Sequence, residues 1–154
     1  MSTLKTLTDA ENTALTNVAA LNGVTIVVED DADLTTEIAK ALGTLGMLVM
    51  IGLPSFHNEV TFAPVITAKI DQQILISEVP SLWRDANDDK PHGSVVAQMV
   101  AQSLHGLRVA EFQQLRCKTG EPHGSGLLKL NDGSHVTFQM YIVTLETRMD
   151  LKPL

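Results

Sequence analysis

The sequence predicts a single α+β domain over residues 1–154, with helices packed against a mixed or largely antiparallel sheet. The length of 154 residues suits one domain, because domains usually hold about 100–200 residues. Apolar residues recur at helical spacing in some segments and as strand-like runs or alternation in others. Hydrophobic residues make up 44% of the chain but aromatic residues only 4%, so the core is expected to be aliphatic.

Composition and charge exclude several functional classes. The formal net charge is -7 and no basic run appears, so a protein that grips nucleic acid through its phosphates is not expected. The single Cys117 excludes an intrachain disulfide and a cysteine metal cluster. Residues 1–21 lack a signal-peptide core, and the most apolar run is far shorter than the ~18–20 residues that span a bilayer. We therefore expect a soluble protein with no membrane partner.

The first third of the chain predicts a helix, a strand and a second helix. Apolar positions recur at helical spacing over residues 8–21. Residues 24–29 are β-branched and apolar, as in a strand. A second apolar stripe predicts a helix over residues 34–45, ended by glycine. Met47–Ile51 then has no polar alternation, which is typical of an interior strand with both faces covered.

Four carboxylates lie within five residues between the first strand and the second helix. They are Glu29, Asp30, Asp31 and Asp33. Calcium loops need ligands at fixed alternate positions with a glycine between them, and that spacing is missing here. We interpret the cluster as a helix start, in which Asp31 or Asp33 caps the orphan amides.

The middle of the chain predicts a loop followed by a β-hairpin. Residues 52–59 lack periodicity and are interpreted as a loop; Ser55 and His57 in it are not a catalytic pair, because a nucleophilic serine normally sits on a tight glycine-flanked turn. Residues 60–70 and 74–79 are predicted strands, joined by a polar turn. Pro64 cannot pair centrally in a sheet, so the first strand is expected to be an edge strand there, to be bulged, or to begin after Pro64. The hairpin is then expected to project beyond the sheet and to meet a neighbouring subunit.

The polar segment 81–90 contains Trp83 and Arg84, two residue types that are enriched at protein interfaces. Two alternatives stay open for Trp83: it lies at a contact surface, or it covers the end of the core. Asp85, Asp88 and Asp89 near His92 are interpreted as a solvated loop rather than a metal site, because no second histidine lies at ligand spacing.

The last part of the chain predicts a helix and antiparallel strands. Pro91 suits a helix start, and His105 at the helix end is given a structural role at the terminal carbonyls. Residues 111–118 are a predicted strand and residues 119–125 a loop. A hairpin follows over residues 127–146, and residues 147–154 are a tail. The apolar helix face is expected to comprise Val95, Val96, Met99, Val100, Leu104 and Leu107.

One stretch, residues 74–107, resembles the tail-terminator and tail-completion (neck) proteins of bacteriophages. In those proteins an apolar strand ends in a Glu-x-Pro-like turn, a polar loop with an arginine follows, and a helix closes with Leu-His-Gly. A weaker match lies upstream, where a helix ends at Leu45-Gly46 before the apolar strand and Pro54. The matching residues of the first stretch are Glu78, Pro80, Arg84, Leu104, His105 and Gly106.

The resemblance implies a structural virion protein that forms a ring at the head-proximal end of a phage tail. Such a ring stops growth of the tail tube and joins the tail to the head or neck. The implied partners are further copies of the chain, usually six, together with the tail tube protein and a head-tail connector or neck protein. The implied location is the virion, after assembly in the host cytoplasm.

No catalytic, cofactor-binding or metal-ligating residue is expected, and no cofactor. The residues expected at contacts between subunits or with the tail are Pro64, Trp83, Arg84 and Asp85. Two alternatives stay open: a small soluble enzyme with its site in loops 55–59 and 85–92, and a non-viral oligomeric binding module. The mass of the protein in solution and in assembled particles separates a ring from a monomeric enzyme.

Overall fold

A computed structural model describes residues 3–62, 65–84 and 89–151, without the side chains of residues 59–62. Four helices and six strands are described. The helices are α1 Leu4–Thr16, α2 Leu34–Lys40, α3 Pro80–Trp83 and α4 Gly93–Leu104. The strands are β1 Thr25–Val28, β2 Met47–Ile51, β3 Ser55–Phe62, β4 Val65–Glu78, β5 Arg116–Lys129 and β6 His135–Leu151.

The six strands form one mixed sheet, which confirms the predicted α+β class. The strand order is β1-β2-β4-β6-β5, and β3 pairs with β4 off this path. Among the described residues, β1 and β2 form a parallel pair and the other strand pairs are antiparallel. Because β6 occupies one side of β4, strands β3 and β2 follow each other along its other side.

The two faces of the sheet carry cores of unequal size. The larger core lies under α1 and α4 and includes Val49 and Ile76, both 0% exposed. The smaller core lies under α2 and includes Leu48 and Val79. Strand β2 sends side chains into both, so the predicted interior strand with two covered faces is confirmed.

The helices differ from the prediction mainly at their ends. Helix α1 covers residues 4–16 rather than 8–21, because Thr3 and Thr6 form a capping box and the chain turns into a 3-10 helix at Ala19–Leu21. Helix α2 continues as a π-helix over Ala41–Leu45 and stops at glycine, as predicted. The predicted aspartate cap is wrong in detail: Asp33 holds the cap position without a side-chain hydrogen bond, and Asp31 Oδ2 accepts from Val28 N at 3.0 Å.

The predicted loop at residues 52–59 is confirmed only for residues 52–54, and the predicted turn at residues 71–73 is wrong. Strand β3 begins at Ser55, and β4 runs unbroken from Val65 to Glu78. Residues 71–73 lie where the neighbour of β4 changes from β3 to β2, and some of their polar groups form hydrogen bonds there, although Gln72 Oε1 has no partner in the described part of the chain. For example, Gln72 Nε2 donates to Gly52 O at 3.0 Å. Pro64 lies outside the described residues.

Two further segments predicted as irregular are strands. Residues 119–125 belong to β5, where Pro122 is tolerated because β5 is an edge strand with register shifts on both sides of it. Residues 147–151 continue β6 and pair with β4 as far as Ile66↔Leu151. The predicted strand over residues 111–118 begins only at Arg116. The predicted hairpin around residues 131–133 is confirmed, with Val136 and Phe138 packed inward and Thr137 exposed.

Helix α4 presents a slightly different face from the predicted one. It begins at Gly93, two residues after Pro91. Val95 is 39% exposed, whereas Ala97 is buried in its place. The buried face is Gly93, Val96, Ala97, Val100 and Leu104.

Candidate functional site

The residues that carry the sequence resemblance form an internal clamp at the end of β4. Glu78 is 1% exposed, and its carboxylate lies 3.0 Å from Arg84 Nε in an ion pair. The same carboxylate accepts from Gly93 N, the first residue of α4, at 3.2 Å. Arg84 also lies within 3.1 Å of both ring nitrogens of His92. The clamp therefore ties the segment after β4 and the start of α4 to one buried carboxylate.

Trp83 extends this clamp into the core. Its side chain is 4% exposed, and its Nε1 donates to Pro91 O at 2.8 Å. Lys90 Nζ lies 4.5 Å from the ring centroid, which is a cation–π distance. The burial favours the alternative in which Trp83 covers the end of the core.

Gly46 connects the two matching stretches of the chain. Its φ is +85°, and a Cβ at this position would lie 2.6 Å from Trp83 N. Gly46 O accepts from Val79 N at 2.7 Å. Only glycine combines this backbone conformation with such a close approach, so the end of the α2 segment and the start of α3 are fixed together.

The Leu-His-Gly ending of α4 is also structural. Leu104 is 0% exposed, and Gly106 has a φ of +83° and donates to Leu115 O at 2.7 Å. His105 does not interact with the helix carbonyls as predicted; its Nδ1 accepts from Cys117 N at 3.1 Å. These bonds attach the end of α4 to the start of β5.

Of the four residues expected at contact surfaces, the structure describes two. Trp83 is buried, and the Arg84 side chain is 24% exposed and paired with Glu78. Pro64 and Asp85 lie outside the described residues. Contact of these residues with a partner stays a prediction.

We expect Glu78→Gln to lower the free energy of unfolding by about 2 kcal/mol. Glutamine keeps an acceptor for Gly93 N but removes the charge that pairs with Arg84. Breaking a fully buried ion pair costs about 3–5 kcal/mol, and the cost is smaller here because Arg84 is partly solvated. Urea denaturation measures this loss in the free energy of unfolding. The matched control is Glu121→Gln on exposed β5, for which a change within ~0.5 kcal/mol is expected; equal effects would contradict the clamp.

Helix α2 covers only part of its face of the sheet. The rest of this face is open and forms a groove of about 680 Å³. Met50, Leu75 and Ile142 are among the apolar residues of its lining. Its charged residues include Lys69 and Lys118 but also Glu29 and Asp71. The groove therefore combines apolar residues with charges of both signs.

A basic patch borders this groove, made of Lys69 on β4, Arg148 on β6, and Arg116 and Lys118 on edge strand β5. All four surround Glu146, whose side chain is 8% exposed, at 3.3 Å, 3.7 Å, 4.0 Å and 3.5 Å respectively. Burial raises the pKa of Glu146, but the pairs with Lys69 and Lys118 outweigh burial and hold this pKa below its usual value. One ionised carboxylate is thus shared by four cations.

Ser55 and His57 do not form a nucleophile–base pair in this structure. Ser55 Oγ donates to the backbone oxygen of Asp71 at 3.4 Å, and His57 Nδ1 lies 3.8 Å from the Asp71 carboxylate. His92 belongs to the clamp at Glu78. On β4, Glu78 lies seven positions beyond Asp71, which is a distance of about 23 Å along the strand. The described parts of loops 55–59 and 85–92 therefore do not meet in one site.

Metal and thiol chemistry have no assembled site in the described part of the chain. No group of three or more His, Cys, Asp or Glu side chains there could hold a metal ion. Burial raises the pKa of the Cys117 thiol, and its Sγ lies 3.8 Å from Thr119 O. A raised pKa disfavours the reactive thiolate.

No protein-family model matches the sequence, and no curated protein matches it. Among solved structures, the fold is similar to that of a chain in the virion of a native gene transfer agent (GTA) particle. The TM-score is 0.52 at 13% sequence identity. The similarity covers 93% of this chain and 91% of that chain. The comparison shows a shared fold over nearly the whole length of both chains.

No helix within the described ranges has the length and hydropathy to cross a membrane.

Sequence reasoning missed the basic patch. Its members sit two positions apart on their strands, as in Arg116 and Lys118, or two positions from the acid that they contact, as in Glu146 and Arg148. Such alternation is the signal of residues on one face of a strand. The alternation of Glu146 and Arg148 is not visible in the sequence when residues 147–154 are predicted to be a tail.

Proposed function

We propose that this chain is a structural virion protein of a tailed bacteriophage or a related particle. The observation that carries the proposal is the similarity in fold to a gene transfer agent virion chain, which extends over 93% of this chain and 91% of that one. The resemblance of residues 74–107 to tail-terminator proteins supports the same class independently. The clamp at Glu78 and Arg84 gives the matching residues a structural role, as expected of an assembly component.

Within that class, the chain acts as the ring that ends the tail tube and joins the tail to the head or neck. The supporting observation is the resemblance to tail-terminator and neck proteins, which implies six copies. Its partners in this role are further copies of itself, the tail tube protein and a head-tail connector or neck protein. A ring requires head-to-tail contacts, in which one patch of each subunit meets a different patch of the next.

Deletion of the coding sequence from the producing genome tests this role. We expect tails of uncontrolled length and heads without attached tails, both visible by negative-stain electron microscopy. The wild-type chain supplied from a plasmid should restore joined particles and should be found in them by mass spectrometry. Joined particles with tails of normal length from the deletion strain would contradict the terminator role.

A further inference from the structure

The basic patch carries more positive charge than its own acids neutralise. Lys69 is shared between Glu146 and Asp71, with the latter 3.7 Å away. Arg116 and Lys118 keep 72% and 40% of their side chains exposed and contact no acid but Glu146 in the described part of the chain. Both lie on β5, which among the described strands pairs only with β6 and so leaves one edge unpaired. This edge strand therefore carries two solvated cations.

The opposite edge of the sheet carries an acidic segment, residues 29–33. All its members are exposed. Glu29 and Asp31 hold the local backbone by accepting from Leu53 N and Val28 N. Asp30 and Asp33 form no ion pair within 4 Å with any described residue, and both are exposed; Lys5 attracts Asp30 from a longer distance. This segment follows β1, the edge strand at the other end of the strand order from β5.

The register places both charged groups at the same end of the sheet. Across the strands, Val28 aligns with Ile51, then Ile74, Val143 and finally Gly120. The acidic segment continues beyond Val28 in the direction in which β6 runs toward Glu146. On β5 the same direction leads from Gly120 to Lys118 and Arg116. Opposite charges thus stand level with each other on opposite edges.

We propose that the basic patch of one subunit docks the acidic segment of a second copy of this chain. Two different patches on opposite edges generate a head-to-tail contact, and such contacts close into a ring when the rotation between subunits permits. Complementary charge of this kind steers association and fixes the register between partners. The inference rests on the proposed ring, to which it adds the contact surfaces.

A second copy fits this patch better than nucleic acid does. Phosphate-directed binding relies on many clustered cations, whereas two of these four cations, Lys69 and Arg148, are largely covered, and the whole chain has a net charge of -7. The acidic segment supplies a matching anion of known position on every copy. Its contact with the patch uses charges that the isolated subunit leaves solvated.

Two charge-reversal variants test the contact. One is Arg116→Glu with Lys118→Glu, and the other is Asp30→Lys with Asp33→Lys. All four side chains are exposed, so both variants are expected to fold, as circular dichroism can verify. Each variant alone has like charges on both edges, and its self-association constant should fall at least tenfold by sedimentation equilibrium. An equimolar mixture should regain the wild-type mass, because each variant then meets an opposite charge on both sides.

The matched control is Arg108→Glu with Lys129→Glu, which makes the same change in net charge at exposed sites outside the patch. It should associate like the wild type. Normal assembly of either patch variant, or failure of the mixture to reassociate, would overturn the proposal. So would a wild-type chain that stays monomeric yet binds a short duplex DNA in a manner that Arg116→Glu with Lys118→Glu abolishes.

The outcome is separable from that of the proposed function. If the deletion strain lacks joined particles but the patch variants still assemble, the contact surface is elsewhere and the virion role stands. If the mixture reassociates but the deletion strain makes normal particles, the contact stands and the terminator role falls.

Discussion

Val49→Asp is expected to abolish soluble expression, whereas Thr137→Asp should express like the wild type. Val49 is 0% exposed in β2, between Ile26 of β1 and Ile76 of β4. Its side chain lies in the larger core, where no water is available to solvate a carboxylate. An unpaired buried charge costs several kcal/mol, against a total stability of ~5–15 kcal/mol for a domain.

The comparison with Thr137 controls for the chemistry of the substitution. Thr137 lies on β6 with its side chain exposed, so the same carboxylate stays in water there. Soluble yield after expression is the first measurement. The second is urea denaturation of Val49→Ala, for which we expect the free energy of unfolding to fall by about 2 kcal/mol because two buried methyl groups are removed. Equal tolerance of aspartate at both positions would mean that the assignment of burial is inverted.

Stability should fall as the pH rises from about 4.5 to about 8, because of one buried carboxyl group. Glu11 on α1 is 0% exposed, and burial raises its pKa to about 8 although a hydrogen bond from Gln72 lowers it. Its Oε1 accepts from Gln72 Nε2 at 2.8 Å, while its Oε2 has no hydrogen-bond partner among the described residues. The neutral acid is therefore the form that the fold accommodates.

The sign follows from proton binding. Between pH 4.5 and 8 the unfolded chain has released the Glu11 proton and the folded chain has retained it, so raising the pH favours unfolding. The contribution of the protonated Glu11 side chain to the free energy of unfolding is fully present below about pH 4.5 and is lost above about pH 8. A pKa shift of this size corresponds to a change of roughly 3–5 kcal/mol in the free energy of unfolding.

Glu11→Gln isolates this contribution, because glutamine keeps the shape and the acceptor without an ionisable proton. We expect the variant to approach the wild type in stability at pH 5 and to exceed it at pH 8.5, as measured by urea denaturation at both values. Glu121→Gln, at an exposed position, should follow the wild type at both. A difference between wild type and Glu11→Gln that is the same at pH 5 and pH 8.5 would contradict the assignment.

The errors of the sequence interpretation have one physical origin. Asp71, Gln72 and Gln73 are polar and resemble a turn, yet they lie inside β4, where one neighbouring strand replaces another and Gln72 bonds to Glu11, 61 residues away. Residues 119–125 contain glycine and proline and resemble a loop, but an edge strand tolerates both. In each case a distant part of the chain decides whether a polar or irregular residue can be paired.

The sequence by itself determined the α+β class, the interior strand β2, the second helix and the hairpin around residues 131–133. These features depend on local apolar periodicity, since a strand covered on both faces must be apolar throughout and a helix must place its apolar residues on one side. Only the tertiary structure decided the burial of Glu11 and Trp83, the clamp at Glu78 and the four cations around Glu146. Each of these depends on side-chain contacts of 2.8–4.0 Å between separate parts of the chain, and no spacing along the chain encodes such contacts.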